Sequence, residues 1–578
     1  MNYSAITDYL AKRGYKVSAY PAETDQIEFF RIELEIGDFP VTLIHYPVKE
    51  ITGLPIFLLV NPSALPRLAH TTVYEEIGFA TICVNVPDAV SVNYECPELA
   101  FEESLNRHIT LLTRALTDRD WNTQELLREF EAGWGSIIEP ETTPFLCLSD
   151  EGEAESLSVF KPRKNAKAGL NTYFLGYREG WNPDALFSPL SQILKEREET
   201  KGNGFVIPLK ATMPAPWQKE ELAQWYLELL QNLPQDLFTM LTQRFGQQRA
   251  REFWLIFNAQ TPSGKTWFGI HFALKNAVQG KKHLPFKASH IEEWVLKALP
   301  VLTFNKERLM PRSGANQSLL GKKVMLVGCG SVGGEVADKL AASGVGHIHL
   351  CDPDSLSLNN LYRHILPPAF VSCPKTVALW LNLNSKYPWL EITGDMTNLL
   401  ALRDRKTLSS FDLIIIAIGS PTQERMFHDY LIKEKIKVPV INTWVEGYGV
   451  GGHAVLDIPG TPGCLRCAYV DSDNFSRGLS SNLNFLATNQ DLTRNHAGCG
   501  DAFLPYSYTS STLTALITVD LAVKYLSHRV NVSSRVSWKG SSEDAIEYGF
   551  VLSERYYAFN RSLEILPLYN PECDICNG

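Results

Sequence analysis

The chain has 578 residues, 45% of them apolar and 20% charged, and a formal net charge of −10. That is ordinary globular composition with ample core, and an acidic balance without a long basic run excludes a general nucleic-acid binder. No apolar run nears the roughly 18 residues that span a bilayer, and MNYSAITDYLAKRGYKV at the start lacks the apolar centre of a signal peptide. Eleven cysteines in so long a chain are too few for a disulfide scaffold and read as reduced thiols or metal ligands. The expectation is a cytoplasmic α/β protein of roughly three or four domains, with neither nucleic acid nor membrane as a partner.

Residues 1–140 alternate strand-like runs, PIFLLV (55–60) and FATICVNV (79–86), with a helical pattern from Leu99 to Leu116, and close on amphipathic ELLREFEAGWG (125–135). Acidic EPETTP (139–144) marks a boundary. Residues 141–304 mix short strands with helices such as KEELAQWYLELLQNL (219–233). Within them AQTPSGKTWFG (259–269) ends like a phosphate-binding loop, but Ala259 stands where the first glycine belongs. FWLIF before it and TWFGIHF after it predict a hairpin, not a strand followed by a helix. No constellation in this region converts into chemistry, so it reads as a mixed α/β linker or binding domain. From 305 to 578 strand and helix alternate: VMLVGCG, a helix to Leu340, HIHLCD, DLIIIAIG (412–419) and VPVINTWV (438–445). That order predicts a parallel, helix-covered sheet of the Rossmann type.

Gly328, Gly330 and Gly333 form GxGxxG between a strand and a helix. Glycines there allow close backbone approach, and the helix N-terminus offers free N–H groups to phosphate oxygens. Asp352 ends the next strand, where a ribose-binding acid belongs, so a nicotinamide oxidoreductase is one reading. Arg363 and Lys375 favour another, because a triphosphate carries more charge than a pyrophosphate diester and calls for cations that hydride transfer does not need.

The stretch GKKVMLVGCGSVGGEVADKLAASGVGHIHLCDPDSLSLNNLYRHIL closely resembles the ThiF-like adenylyltransferases, the family that includes ubiquitin-activating enzymes. The resemblance covers residues 305–578 and implies ATP as the nucleotide, with Asp352 on the ribose and Asn360, Arg363 and Lys375 on the phosphates. It implies homodimerisation through this domain, with Arg312 in RLMPRSGANQSLLGKK reaching the partner subunit's ATP. Gly419, Ser420 and Pro421 occupy the turn where the family places an aspartate associated with Mg2+; Asp354 and Glu424 could substitute for it.

GCLRCAYV (463–470) and PECDICNG (571–578) each hold a CxxC pair. Cys464, Cys467, Cys573 and Cys576 together supply the four thiolates that suit tetrahedral Zn2+, an arrangement that resembles the same family; a redox role is the competing reading. Between the pairs, Cys499 follows a polar stretch rich in Asn, Ser and Thr and precedes a long helical pattern. A thiol near a helix N-terminus can be activated as a nucleophile, with a small buried cysteine as the plainer reading, and the resemblance places here the thiol that attacks the acyl-adenylate. Cys329, Cys351 and Cys373 flank the nucleotide elements and read as packing.

ALPRLAHTTVYEEIGFATICVNVPDA (64–89) resembles, more weakly, the heart of a ubiquitin-conjugating fold, and the helix 99–116 and REFEAGW (128–134) resemble its bacterial branch. Position in the motif favours Cys83 as acceptor thiol, with Cys96 as competitor and core packing as the plainer role for either. His70-Thr71-Thr72 replaces the family's His-Pro-Asn, so no oxyanion-stabilising Asn carries over. An α+β conjugating domain, a linker and an activating domain in one chain resemble the fused enzymes of bacterial CBASS anti-phage operons. The resemblance implies that the C-terminal tail of a protein substrate, a cGAS/DncV-like nucleotidyltransferase, is adenylated, carried as a thioester and ligated to target proteins. The same nucleotide motifs would also serve a sulfur-carrier adenylyltransferase of cofactor biosynthesis, or a catalytically inactive scaffold that binds ATP and a partner tail.

Overall fold

The structure is a computed structural model that describes residues 2–20, 29–46, 48–74, 77–84, 90–148, 153–163, 167–179, 199–246, 251–275, 283–303, 306–387, 390–470, 480–495 and 502–577. They divide into two compact units that part at residues 305 and 306. Among the described residues no helix is long and apolar enough to cross a membrane.

The first unit contains two sheets. After helix α1 (Tyr3–Lys12) come β1 (Lys16–Tyr20), β2 (Phe29–Ile36), β3 (Phe39–His45) and β4 (Leu58–Val60), then the hairpin β5 (Thr71–Tyr74) and β6 (Phe79–Ile82). They pair antiparallel in the order β1-β2-β3-β4-β6-β5. The strand expected over 79–86 ends at Ile82, leaving Cys83 just beyond it. Helix α2 (Pro97–Thr117) buries Phe101, Leu105 and Leu112 on the sheet at helical spacing. The amphipathic segment that follows is two helices, α3 (Arg119–Arg128) and α4 (Phe130–Ser136), broken at Glu129.

The second sheet takes β7 (Phe145–Cys147), β8 (Glu155–Phe160), β9 (Phe174–Arg178), β10 (Glu199–Leu209), β11 (Glu252–Thr261), β12 (Gly264–Leu274), β13 (Trp294–Leu299) and β14 (Val301–Thr303) in the order β13-β12-β11-β10-β8-β9-β7-β14. Helices α5 (Leu222–Gln231) and α6 (Gln235–Gly246) cover it. The loop that ends like a P-loop is the turn of the β11–β12 hairpin, with Thr261 opposite Gly264. Phe130 and Trp134 of α4 pack into the core of this sheet, and Trp134 Nε1 donates to the Leu299 carbonyl at 3.0 Å. The second core thus recruits residues from the near side of the 140/141 division.

The second unit opens with α7 (Lys306–Arg312), then alternates β15 (Lys323–Val327), α8 (Ser331–Ser343), β16 (His347–Cys351), α9 (Lys375–Lys386), β17 (Glu391–Asp395), β18 (Leu413–Ile416), α10 (Pro421–Lys433) and β19 (Val440–Val445). Strands β17-β16-β15-β18-β19 are parallel, as the pattern predicts. An antiparallel extension follows through β20 (Gly451–Asp457), β23 (Ser534–Lys539) and β24 (Leu566–Pro567). The short hairpin β21 (Arg494–Asn495) and β22 (Ala502–Phe503) precedes α11 (Tyr508–Leu526), whose buried face packs on α8 and β20. The unit is a Rossmann-like α/β domain.

Close helix–strand packing at the first turn depends on Gly333. A Cβ there would lie 1.8 Å from the Gly328 carbonyl oxygen, whereas one at Gly330 would meet nothing within 4 Å. Gly333→Ala is expected to destabilise the protein by about 3 kcal/mol, the upper range for an overpacked core, while Gly330→Ala keeps wild-type stability. Urea unfolding of both variants checks this.

Candidate active site

The site grows from the C-terminal ends of β15 and β16. Gly328 adopts φ +94°, in the region that favours glycine, and turns the chain from β15 toward α8, whose N-cap is Gly330. The segment from 352 to 375 then folds back on itself. Leu356 N donates to the Cys373 carbonyl at 2.9 Å, Ser372 N to that of Leu356 at 2.8 Å, and Lys375 N to that of Asp354 at 2.9 Å. This clamp brings Asp354 and Lys375, at the two ends of the segment, together.

Asp352 is buried, and its carboxylate accepts the Cys329 N–H at 2.6 Å and the Asp354 N–H at 2.7 Å. Lys375, also buried, places Nζ 2.9 Å from Asp354 Oδ2 and 4.0 Å from Asp352 Oδ1. Asn360 accepts from the N–H and hydroxyl of Ser357 at 3.1 and 3.0 Å and caps a short 3₁₀ turn. Arg363 stacks on Tyr506, 5.3 Å from the ring centre, and the Tyr506 hydroxyl lies 2.7 Å from Ser331 Oγ at the start of α8. His364 Nε2 donates to the Cys329 carbonyl at 2.8 Å, a second tie between this segment and the glycine loop. Burial lowers the His364 pKa, favouring the neutral ring.

These groups surround a cavity of about 520 Å³ lined by Gly330, Asp354, Asn360, Arg363, Lys375 and Glu424. Of the residues predicted from sequence, Gly330, Asn360, Arg363 and Lys375 face this cavity, while Gly328, Gly333 and Asp352 shape its wall from behind. Arg312 is exposed at the end of α7. Cys329 and Cys351 are buried and Cys373 half-buried, as packing residues are. A larger open groove of about 1220 Å³, lined by Tyr362, Tyr448, Phe503 and Tyr548 among others, shares Asn360 and Arg363 with the cavity.

Sequence reasoning missed three contributors. Tyr506 steadies Arg363, and its only local signal is an aromatic pair, FLPYSY, ahead of a helix. Buried Glu446 accepts from Phe485 N at 2.7 Å and Leu486 N at 2.9 Å, fixing the segment whose Ser481 and Asn484 line the cavity. His453, buried on β20, sits 2.8 Å from both Glu446 Oε1 and Ser537 Oγ and orients that carboxylate.

Cys464, Cys467, Cys573 and Cys576 converge so that their sulfur atoms all lie within 4.8 Å of one another. Contacts of 3.5 to 3.8 Å across the set fit the spacing of roughly 3.8 Å that four thiolates take around a tetrahedral metal. Asp457 supports the cluster, accepting the Leu465 N–H at 3.1 Å and facing His428 Nε2 at 2.8 Å.

Cys499 lies outside the described residues. Helix α11 begins at Tyr508, with Ser507 as N-cap and strand β22 before it, so the helix does not start at the cysteine as the polar-to-helical pattern suggested. Cys83 is exposed and lines a separate cavity of about 250 Å³ in the first unit, with His70, Arg67 and Glu129. Cys96 is half-buried at the N-cap of α2 and is not among that cavity's lining.

Residues 306–536 match the model of the ThiF family. Similar in sequence are the ATP-dependent ubiquitin transferase-like proteins Cap2 of Vibrio cholerae serotype O1, 25% identical over 279 residues, and of Escherichia coli strain TW11681, 25% identical over 289 residues. The matches cover 46% and 48% of this chain and 46% and 45% of those proteins, so the matched stretch spans about half their length. The sulfur carrier protein ThiS adenylyltransferase of E. coli K12 is 26% identical over 162 residues, 28% of this chain and 63% of that one. Among solved structures, E. coli MccB with MccA-N7isoASN superposes with a TM-score of 0.32 at 18% identity, covering 45% of this chain and 69% of that one. The sequence matches bear out the resemblance to the ThiF-like family.

Burial raises the Glu424 pKa from 4.5 to about 7, against the hydrogen bonds from Asn442, Ser420 and Gly419. The folded state therefore favours the protonated form. The stability this carboxyl contributes is complete below pH 4.5 and is lost as pH rises through about 7. In thermal unfolding without nucleotide, Glu424→Gln is expected to gain on wild type between pH 5 and 8, by up to about 3 kcal/mol, and parallel profiles would refute the shift.

Proposed function

We propose that this chain, with its ThiF-family domain at 306–536, is an ATP-dependent activating and conjugating enzyme. It adenylates a protein C-terminus, holds the acyl group as a thioester on Cys499, passes it to Cys83 and ligates it to a target. The observation that carries the reading is the cavity at the N-terminus of α8, where Asn360, Arg363 and Lys375 converge with Gly330. Two cations and an unobstructed helix N-terminus suit a triphosphate. The similarity to the ubiquitin transferase-like Cap2 proteins of Vibrio cholerae and E. coli supports the ubiquitin-like transfer.

A carboxylate is a poor electrophile until one oxygen becomes part of a good leaving group. Attack of the donor tail's carboxylate oxygen on the α-phosphorus of ATP forms the acyl-adenylate and expels pyrophosphate, whose developing charge Lys375 and Arg363 stabilise. The Cys499 thiolate then displaces AMP, and thioester exchange preserves the activation during transfer. Asp354 or, once ionised, Glu424 would hold the magnesium ion that accompanies ATP and neutralises phosphate charge. Asp352, while bracing the glycine loop, would accept from the ribose with its remaining lone pairs, and Arg312 would reach the nucleotide of a partner subunit in a homodimer. The donor in this reading is a cGAS/DncV-like nucleotidyltransferase of a CBASS operon. In the first unit, a helix, an antiparallel meander, a cysteine just past the last strand and then a long helix support a ubiquitin-conjugating-like domain.

The four cysteines would hold a structural zinc ion that pins the C-terminal residues to the segment after β20. Metal analysis is expected to find zinc at about one per chain, falling to background in Cys573→Ser with loss of thermal stability; a redox pair would carry none.

Incubation with ATP and candidate donor proteins, read as reductant-sensitive adducts on gels, tests the relay. Cys499→Ala is expected to lose every adduct, and Cys83→Ala to retain the adduct on Cys499 while blocking onward transfer. Lys375→Ala should slow donor-dependent ATP–pyrophosphate exchange about a hundredfold. Turnover with NAD and no ATP requirement would overturn the reading.

A further inference from the structure

We propose that Arg67 is the cation that stabilises the oxyanion when Cys83 accepts an acyl group. The inference rests on reading Cys83 as the acceptor thiol. It addresses a gap in the sequence, where no Asn stands after His70-Thr71-Thr72 to take that part.

Arg67 and Cys83 line the same cavity of about 250 Å³, together with His70, Thr72, Thr81 and Glu129. Cys83 N donates to the His70 carbonyl at 2.8 Å, continuing the β5–β6 pairing by one residue and fixing the thiol at the cavity edge. His70 itself cannot serve the oxyanion. Its Nδ1 faces Glu129 Oε2 at 3.1 Å and its Nε2 faces Glu125 Oε2 at 3.3 Å, so both ring nitrogens are engaged by carboxylates. Those contacts, above all the Glu129 hydrogen bond, raise the His70 pKa.

Arg67 differs. Its Nη1 donates to the Ala215 carbonyl and its guanidinium lies 5.6 Å from the centre of the Trp217 ring, so the head group is held rigidly. Among the described residues no carboxylate forms a salt bridge with it; burial lowers its pKa, offset only in part by Glu221 and Glu129 at longer range. A half-buried guanidinium fixed by a neutral carbonyl and an aromatic face, beside a nucleophile, is a donor set in place before charge develops.

In the step, the Cys83 thiolate attacks the carbonyl carbon of the donor thioester and the C=O π pair moves onto oxygen, against Arg67. Collapse re-forms the carbonyl and expels the donor thiolate, which takes up the proton that Cys83 released. Arg67 stays protonated throughout.

The test uses the full chain with Arg67→Gln and Arg67→Lys, both checked for folding by circular dichroism. Alkylation at Cys83, mapped by mass spectrometry, compares anionic iodoacetate with neutral iodoacetamide at pH 7, a ratio that reports local charge without any donor protein. Arg67→Gln is expected to lower that ratio about fivefold and to slow Cys499-to-Cys83 transfer about a hundredfold, with Arg67→Lys intermediate in both. An unchanged ratio in a folded Arg67→Gln overturns the proposal, as does a lowered ratio with transfer at the wild-type rate. Transfer that survives Cys83→Ala instead overturns the acceptor reading and the proposal with it, and the alkylation ratio tells the two failures apart.

Discussion

The carboxylate of Asp352 joins the two backbones that enclose the cavity of the second unit. One oxygen takes the N–H of the glycine loop and the other the N–H that begins the 352–375 clamp, at 2.6 and 2.7 Å. A buried carboxylate is costly unless its lone pairs are met, and here two amides and a nearby ammonium meet them. Charge-assisted bonds of this kind are stronger and more directional than neutral ones, so the loop, the clamp and the start of α8 keep a fixed relation. Removing the carboxylate would leave the Cys329 N–H buried without a partner.

From that brace outward, the second unit uses buried carboxylates to place its parts. On α8, Glu335 and Asp338 share Lys339, and Asp338 also takes Lys386 of α9 at 3.0 Å. The Tyr508 hydroxyl donates to Glu335, tying the first turn of α11 to the helix that begins at the cavity. Glu446 and His453 play the same part on the opposite wall. The walls of the cavity are thus set by buried carboxylates that each hold a backbone amide, a lysine or a tyrosine hydroxyl in place.

Much of this was legible in the sequence where the signal is local. The run from β15 through the glycine loop to β16 combines a strand, a helix and their punctuation within about thirty residues, the length of a βαβ unit. Strand β17 was missed because only Ile392 in it is buried, which leaves no apolar period to see. Strand β20 was missed for the opposite reason: all seven residues are buried, and two leading glycines and a histidine disguise it. The four cysteines could be paired only as CxxC motifs, yet the fold closes a separation of 109 residues to bring Cys464 beside Cys573. Tyr506, Glu446 and Arg67 carry no motif at all. Their roles come from contacts across distant segments, such as the 148 residues between Arg67 and Ala215.

The two cations of the cavity stand on different footings. Lys375 belongs to the clamp, where backbone pairing and Asp354 hold it. Arg363 rides on the excursion between the clamped ends and leans on Tyr506, which lies just ahead of α11 and is latched to Ser331 through its hydroxyl. One hand of the grip is bolted to the frame and the other is borrowed from the stretch that leads into α11. Any shift of Tyr506 is therefore felt by the guanidinium, so that the start of α8, the approach to α11 and one cation of the cavity share a single aromatic hinge.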